Sequence, residues 1–169
     1  YYKCKYFIER CFDMIKKMIC TLLTVSMLLA SLSVFASDIQ YSVGADGVTI
    51  TSWNKNAEYV IEVPSMIDGK PVIAIADEAF KDCVSVYEIS LPSTVKSISG
   101  SAFNGCVSLK NVKLYENAFF VSENGAIYNS DKTELVRLFD MSCQSFTVPN
   151  AVTKIADHAF YGMYNLEKL

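Results

Sequence analysis

The chain is short of the residues on which most enzymes and nucleic-acid-binding proteins depend. It has a single histidine, His158, and no glycine-rich phosphate loop, nucleophile elbow or zinc-binding helix motif. Its 15 basic residues are outnumbered by 18 acidic ones, whereas nucleic-acid binding needs clustered cations to replace phosphate counterions. The sequence therefore predicts a non-enzymatic protein with no catalytic residue, cofactor, metal site or nucleic-acid partner, and it leaves any binding residues unknown.

Charge is also missing from residues 18–30, a long apolar run. Two lysines precede the run, and the small-residue exit Val-Phe-Ala ends at Ala36, an arrangement typical of a secretory signal peptide. We predict a signal peptide over residues 14–36, cleaved after Ala36, and a secreted or cell-surface protein. The alternative is a retained membrane anchor, because 20 uncharged residues separate Lys17 from Asp38 and can span a bilayer.

Residues 1–13 have no initiator methionine and no clear pattern, and Met14 is a better natural start. We interpret residues 1–13 as an upstream or artefactual segment without function. Beyond Ala36 the chain carries ten basic and sixteen acidic residues, a net charge of −6. Such an acidic surface favours solubility.

Three segments of the chain repeat one pattern around a phenylalanine. In each, an alanine stands directly before the phenylalanine and an isoleucine five positions before it, and apolar residues follow at three, six and nine positions. The phenylalanines are Phe80, Phe103 and Phe160, and the isoleucines are Ile75, Ile98 and Ile155. The first two phenylalanines are 23 residues apart and the last two 57, one period plus 34 extra residues. A period in the twenties with fixed apolar positions predicts a stacked solenoid of the leucine-rich type.

The second copy, residues 91–112, reads LPSTVKSISGSAFNGCVSLKNV. This pattern resembles the BspA-type leucine-rich repeat of bacterial and protozoan surface proteins. The resemblance covers roughly residues 60–169. It implies a β-rich right-handed solenoid with short helical or turn segments. It also implies a secreted or surface module that binds proteins, with adhesion to host proteins, matrix or other cells. Two alternatives stay open, a structural spacer that displays another domain and the non-catalytic arm of a larger secreted enzyme.

Upstream of the repeats, the sequence predicts two strands joined by a turn at Asp46-Gly47. Apolar and polar residues alternate on both sides of this turn, which is a strong hairpin signal. The resemblance implies that this hairpin caps the solenoid, and an uncovered first repeat would expose its apolar face. We therefore assign residues 37–60 to an N-terminal β cap and residues 61–169 to the repeats. The chain ends at Leu169 within the repeat pattern, and we interpret this as C-terminal truncation.

The pattern is interrupted in the middle of the repeats. Val121 falls at an isoleucine position, and residues 123–145 then intervene. Strand signals at residues 126–128 and 134–139 predict an elaborated repeat rather than a second domain. The alternative is a flexible insertion.

Cys83 and Cys106 occupy the position three residues after the phenylalanine, so stacking would make them neighbours. Three interpretations of this pair are open: a disulfide, part of a metal site, or two buried thiols. Met163 stands at the same position in the last copy and cannot form a disulfide, which favours the buried thiols. Cys143 lies in the insert and is the better candidate for exposure.

Two variable rows of residues are candidates for contact with a protein partner that the sequence does not identify. The row four positions after the phenylalanine holds Val84, Val107 and Tyr164, and the row seven positions after it holds Tyr87, Lys110 and Glu167. His158 has Glu78 and Ser101 as its equivalents. A position that varies in this way is expected to face solvent rather than to act as a catalytic base.

Overall fold

A computed structural model describes residues 39–54 and 59–169. The upstream segment, the predicted signal peptide and its cleavage point lie outside these described residues. Within them, no helix is long and apolar enough to cross a membrane.

The described residues form short β-strands joined by turns. Their bounds are β1 Ile39–Val43, β2 Val48–Trp53, β3 Val60–Glu62, β4 Met66–Ile67, β5 Lys70–Ile75, β6 Glu88–Leu91, β7 Ser97–Ile98, β8 Asn111–Leu114, β9 Phe120–Glu123, β10 Ala126–Asn129, β11 Glu134–Leu138 and β12 Lys154–Ile155.

Strands β1 and β2 form the antiparallel hairpin that the sequence predicts. The Gly44 N–H donates to the Gly47 carbonyl at 2.8 Å and closes the turn. Strand β2 then pairs in parallel with β5. The ring of Trp53, at the end of the hairpin, lies 5.7 Å from the ring of Phe80. The hairpin therefore covers the apolar core of the first repeat, which confirms its role as an N-terminal cap.

Two parallel ladders run along the solenoid. Strands β5 and β7 pair through the isoleucine position, Ile75 opposite Ile98. Strands β3, β6 and β8 make the second ladder, in which Ile61, Ile89 and Val112 follow one another. Each of these five residues is buried. The core lies between the ladders because alternate side chains of each strand point inward.

Turns stand where the family resemblance implied short helical or turn segments, and the described residues contain no helix. The Cys83 N–H donates to the Phe80 carbonyl at 3.2 Å, a bond over three residues. A left-handed residue ends each of these turns before a second helical turn can form: Asp82 at φ 58°, Gly105 at φ 76° and Gly162 at φ 77°.

The phenylalanines of the first two repeats stack on one another. The rings of Phe80 and Phe103 lie 5.6 Å apart and are parallel within 2°, and both are fully buried. The Phe80 N–H donates to the Ala102 carbonyl at 2.8 Å. The alanine–phenylalanine pair therefore fixes the register between neighbouring coils.

The insert is ordered by strand pairing. Strands β9, β10 and β11 form an antiparallel meander, and β11 pairs in parallel with β12. Leu135 is in register with Ile155, whereas Val121 lies opposite Tyr128. We number the coils by the residue at the isoleucine position: Ile75 in the first, Ile98 in the second, Leu135 in the third and Ile155 in the fourth. Leu135 rather than Val121 holds this position in the third coil, because the chain makes a hairpin before it re-enters the solenoid.

Candidate functional site

The third coil is shorter than the others. In three coils, twelve residues lie between the isoleucine position and the first paired residue of the second ladder: Ile75 and Glu88, Ile98 and Asn111, and Ile155 and Lys168. In the third coil only nine residues lie between Leu135 and Ser145, which bridges to Lys168. The missing residues belong to the turns, so the turn face of the solenoid is recessed at this coil.

The recess brings the second and fourth coils into direct contact. A Cβ added at Gly100 would lie 2.1 Å from the carbonyl oxygen of Asp157 and 3.3 Å from that of Val136. Glycine is therefore required at this point for close approach of the two backbones.

A groove of about 400 Å³ lies on the turn face of the solenoid. We call it the turn-face groove. It is lined by Glu78, Lys81 and Asp82 of the first coil, Asn104, Gly105 and Val107 of the second, Met141 and Ser142 of the third, and Tyr161, Gly162, Tyr164 and Asn165 of the fourth. Residues of the first and fourth coils thus line one groove because the coil between them is short.

Charged groups line the first-coil side of this groove. Lys81 donates to Glu78 at 2.8 Å. This hydrogen bond is the main cause that raises the pKa of Lys81, and the charges of Glu78 and Asp82 and the nearby Tyr161 add to it. The carboxylate of Asp82 lies against Gly105, where an added Cβ would stand 2.3 Å from Oδ1. With one lysine and two carboxylates, the lining is negative overall.

Polar and aromatic groups complete the turn-face groove. Asn104 is only 7% exposed, and its amide oxygen has no hydrogen-bond partner in the part of the chain that the structure describes. Tyr161 and Tyr164 are 51% and 91% exposed, and Val107 is also exposed. The groove thus offers acceptors and aromatic faces to a partner.

The row four positions after the phenylalanine is exposed along the solenoid, as predicted: Val84, Val107 and Tyr164. Two of these residues line the groove. In the row seven positions after the phenylalanine, Glu167 is exposed, whereas Tyr87 and Lys110 are half-buried. Tyr87 stacks on Tyr59 with ring centres 5.1 Å apart. Lys110 donates to Asp140 at 2.5 Å.

The row that contains His158 faces solvent only in part. Glu78 and His158 are exposed, but Ser101 is buried, so the expectation of a solvent-facing position is wrong there. Ser101 is held inside because its hydroxyl donates to Asp77 at 2.9 Å, beside a second hydrogen bond from Ser99.

These side chains do not form a hydrolytic triad. The hydroxyls of Ser99 and Ser101 donate directly to Asp77, and these bonds lower the pKa of the Asp77 carboxyl. A carboxylate with a lowered pKa is a poor general base. His158 instead packs edge-on against Tyr161, with ring centres 6.0 Å apart. The hydrogen bonds of Ser99 and Ser101 with Asp77 hold the turn of the second coil in place.

The three cysteines that the structure describes are thiols. Cys83 and Cys106 are fully buried, and the Cys106 thiol donates to the Phe80 carbonyl at 3.0 Å. Hydrogen bonding with Cys83, followed by burial, raises the pKa of Cys106. Met163 is buried in the same row. This arrangement agrees with the buried-thiol interpretation, and Cys143 is partly exposed as expected. Across the described ranges, no group of three potential metal ligands comes together.

Sequence reasoning missed Arg137, which is fully buried in β11. Its Nη1 donates to the His158 carbonyl at 2.6 Å, whereas Nε and Nη2 have no hydrogen-bond partner among residues 39–54 and 59–169. Burial lowers its pKa. Arg137 therefore links the third coil to the fourth, and within the described residues its buried guanidinium is only partly paired.

The ladders, the stacked phenylalanines and the turn-face groove define a leucine-rich repeat solenoid. The profile of the BspA type leucine rich repeat region, in six copies, matches residues 73–169. Because this is more than half of the chain, the protein belongs to the BspA-type leucine-rich repeat family.

Two solved bacterial proteins have a similar fold. The leucine rich repeat protein TpLRR of T. pallidum is 27% identical with a TM-score of 0.51, over 78% of this chain and 67% of that one. A leucine rich cell surface protein of Faecalibacterium prausnitzii A2-165 is 22% identical with a TM-score of 0.51. That match covers 78% of this chain and 40% of the other, so the chain spans less than half of that protein's length. No curated protein matches the sequence.

Proposed function

We propose that this protein is a secreted or cell-surface repeat module that binds another protein and has no enzymatic activity of its own. The observation that carries the proposal is the turn-face groove, in which four coils present exposed side chains to one partner. Solenoids commonly use such composite surfaces for recognition. The exposed aromatic side chains Tyr161 and Tyr164 are of the type that anchors protein interfaces.

An extracellular location is supported by two observations. The N-terminal region has the charge and apolar pattern of a signal peptide, and a solved protein of similar fold is described as a cell surface protein. We propose adhesion to host proteins, matrix or other cells as the role of the binding surface.

Affinity capture tests the binding function. The chain from Ser37 onward, immobilised, is expected to retain one or a few extracellular proteins from a host-cell surface preparation, identified by mass spectrometry. The double variant Tyr161→Ser/Tyr164→Ser should retain less, whereas Tyr59→Ser, which changes an exposed tyrosine outside the groove, should retain as much as the wild type. If the wild type retains nothing beyond a blank matrix, the module acts as a spacer and the binding proposal fails.

Cell fractionation tests the location. We expect the protein in the medium or on the cell surface, with Ser37 as its N-terminal residue. A membrane-bound form that keeps residues 14–36 would show that this segment is an anchor. Protein confined to the cell interior would contradict the extracellular proposal.

A further inference from the structure

The charge of the turn-face groove favours a cation. Among its lining residues, Lys81 interacts with the carboxylates of both Glu78 and Asp82, so two negative charges face one positive charge. The chain beyond Ala36 is acidic as well, with a net charge of −6. An anionic partner would meet repulsion here, whereas a basic partner group would be attracted to the groove.

The tyrosines of the groove favour the same occupant. Tyr164 and Tyr161 are exposed, and the exposed Val107 adds an apolar side chain to the same lining. A tyrosine ring attracts a cation over its face. Lys and Arg also carry apolar stems that pack on such surfaces while the charged head reaches a polar group.

The buried amide of Asn104 supplies a further acceptor. Its oxygen lacks a partner within the described part of the chain although the side chain is almost fully buried beside the groove. A buried acceptor that stays unsatisfied destabilises the fold, and rotation of the amide would present this oxygen to an N–H donor in the groove. Guanidinium and ammonium groups offer several such donors.

The size of the groove limits what it can hold. Its volume of about 400 Å³ lies near the lower end of ligand pockets, which is enough for one long side chain and too little for a folded element. Residues of all four coils line the groove. An extended segment can therefore lie across it and insert one side chain.

We propose that the turn-face groove binds a single lysine or arginine side chain of an extended segment of the partner protein. The ammonium or guanidinium group meets the carboxylate of Asp82 and the amide of Asn104, and its stem packs between Tyr161 and Tyr164. This inference rests on the proposed binding function and adds the chemistry that the partner must present.

The probe for this proposal is the blocked peptide acetyl-Gly-Ser-Arg-Ser-Gly-amide, added to ¹⁵N-labelled chain from Ser37 onward. Two-dimensional NMR should show saturable shifts of the amides of Asn104, Gly105 and Tyr164, and none at Asn129 in the insert hairpin. The matched peptide has citrulline in place of arginine and keeps the shape without the charge. We expect it to bind at least about tenfold more weakly, since hydrogen bonds to charged groups contribute more than neutral ones.

Variants of the protein test the same contact from the other side. Asp82→Asn keeps the left-handed backbone, which Asn tolerates, and should weaken binding of the arginine peptide about tenfold while the citrulline peptide is unaffected. Glu62→Gln, an exposed carboxylate of β3 outside the groove, is the matched control and should bind as the wild type does. Thermal unfolding checks that both variants are folded.

Three results would overturn the proposal. Equal affinity for the arginine and citrulline peptides would remove the cation from the recognition. Shifts that map to another face would assign the peptide to a different surface. If neither peptide shifts any amide at about 10 mM, a concentration that detects even millimolar affinity, the groove does not bind basic side chains. In that case a positive affinity capture would still leave the general binding function intact.

Discussion

At the scale of single residues, the stacked phenylalanines connect one coil to the next. Phe103 is fully buried, its ring stacks on that of Phe80, and it occupies the centre of the apolar core. Removal of the ring would leave a cavity that the short strands on either side can fill only by shifting together. Each such ring therefore contributes to stability beyond its own coil.

Phe103→Ala is expected to lower the free energy of unfolding by about 3–5 kcal/mol, because it removes buried contacts and leaves a cavity. Urea unfolding followed by circular dichroism measures the change. Phe119→Ala is the matched control, since Phe119 is an exposed phenylalanine of a loop. We expect that control to change stability by less than about 1 kcal/mol. A neutral Phe103→Ala variant would show that the coils are not in this register.

The cysteines allow a second prediction at this scale. Thiolate, rather than thiol, is the reactive form, and burial and the raised pKa of Cys106 keep it protonated. In the chain from Ser37 onward, a thiol reagent should modify Cys143 quickly in the native protein and all three cysteines after unfolding. Fewer than three reactive thiols in the unfolded, non-reduced protein would instead reveal a disulfide.

Residues on the repeat pattern could be predicted from the sequence, and residues off it could not. The burial of Phe103 and Cys106 followed from their recurrence at a fixed offset, because equivalent positions of a solenoid share one environment. Arg137 lies in the insert, where no phenylalanine anchors the alignment of the copies, and a charged residue in an alternating strand is normally placed on the solvent side. Its burial depends on the contact with the His158 carbonyl, a tertiary feature without a local signal.

At the scale of the elements, the short third coil is the feature that shapes the turn face. The sequence indicated strands in the insert, and the structure contains them as β10 and β11. The coil's length could not be predicted because its phenylalanine anchor is absent. Leu138, whose N–H donates to the Ala159 carbonyl at 2.8 Å, takes the position that Phe80 holds next to Ala102. Without that anchor, the alignment of the third coil and the groove that results from it stay hidden.

Gly100→Ala tests the contact between the second and fourth coils. The added Cβ would lie 2.1 Å from the backbone oxygen of Asp157, and backbone atoms can move away only if the coils separate. We expect stability to fall by about 1–3 kcal/mol, as in other overpacked sites. Denaturant unfolding is the measurement. Gly44→Ala, where the nearest atom to the new Cβ is 3.4 Å away, is the control and should change stability much less. Equal effects of the two variants would mean that the coils are not in close contact.

At the scale of the whole molecule, the two ends of the described solenoid differ. The hairpin at the N-terminal end leaves the first-coil positions Ile75 and Ile89 buried. In the fourth coil the equivalent positions are open, with Ile155 50% and Leu169 72% exposed. In a solenoid each coil completes the core of its neighbour, so the burial of these positions depends on the coil that stands next to them.

Acid sensitivity is a property of the whole molecule, because it sums over carboxylates on several coils. Hydrogen bonds from Ser99 and Ser101 lower the pKa of Asp77, and those from Thr133 lower that of Asp131. For Asp140, desolvation acts upward, but hydrogen bonds from Lys110 and Ser142 outweigh it and leave the pKa lowered. All three groups are therefore ionised in the folded protein at pH values where the unfolded chain already binds protons.

Stability is accordingly expected to be constant near neutral pH and to fall below about pH 4, the ordinary pKa of an aspartate in an unfolded chain. When folding lowers the pKa of a carboxyl group, the resulting stabilisation is complete above the pKa of that group in the unfolded chain. It is lost as the pH falls through the pKa of the group in the folded protein. Urea unfolding between pH 7 and pH 2.5 measures this, with Asp140→Asn as the test variant and Glu62→Gln as the matched change of charge. The stability difference between wild type and Asp140→Asn should shrink in acid, since protonation removes the same charge. A difference that stays constant over this range would mean that the Asp140 contacts with Lys110 and Ser142 stabilise the fold without their charge.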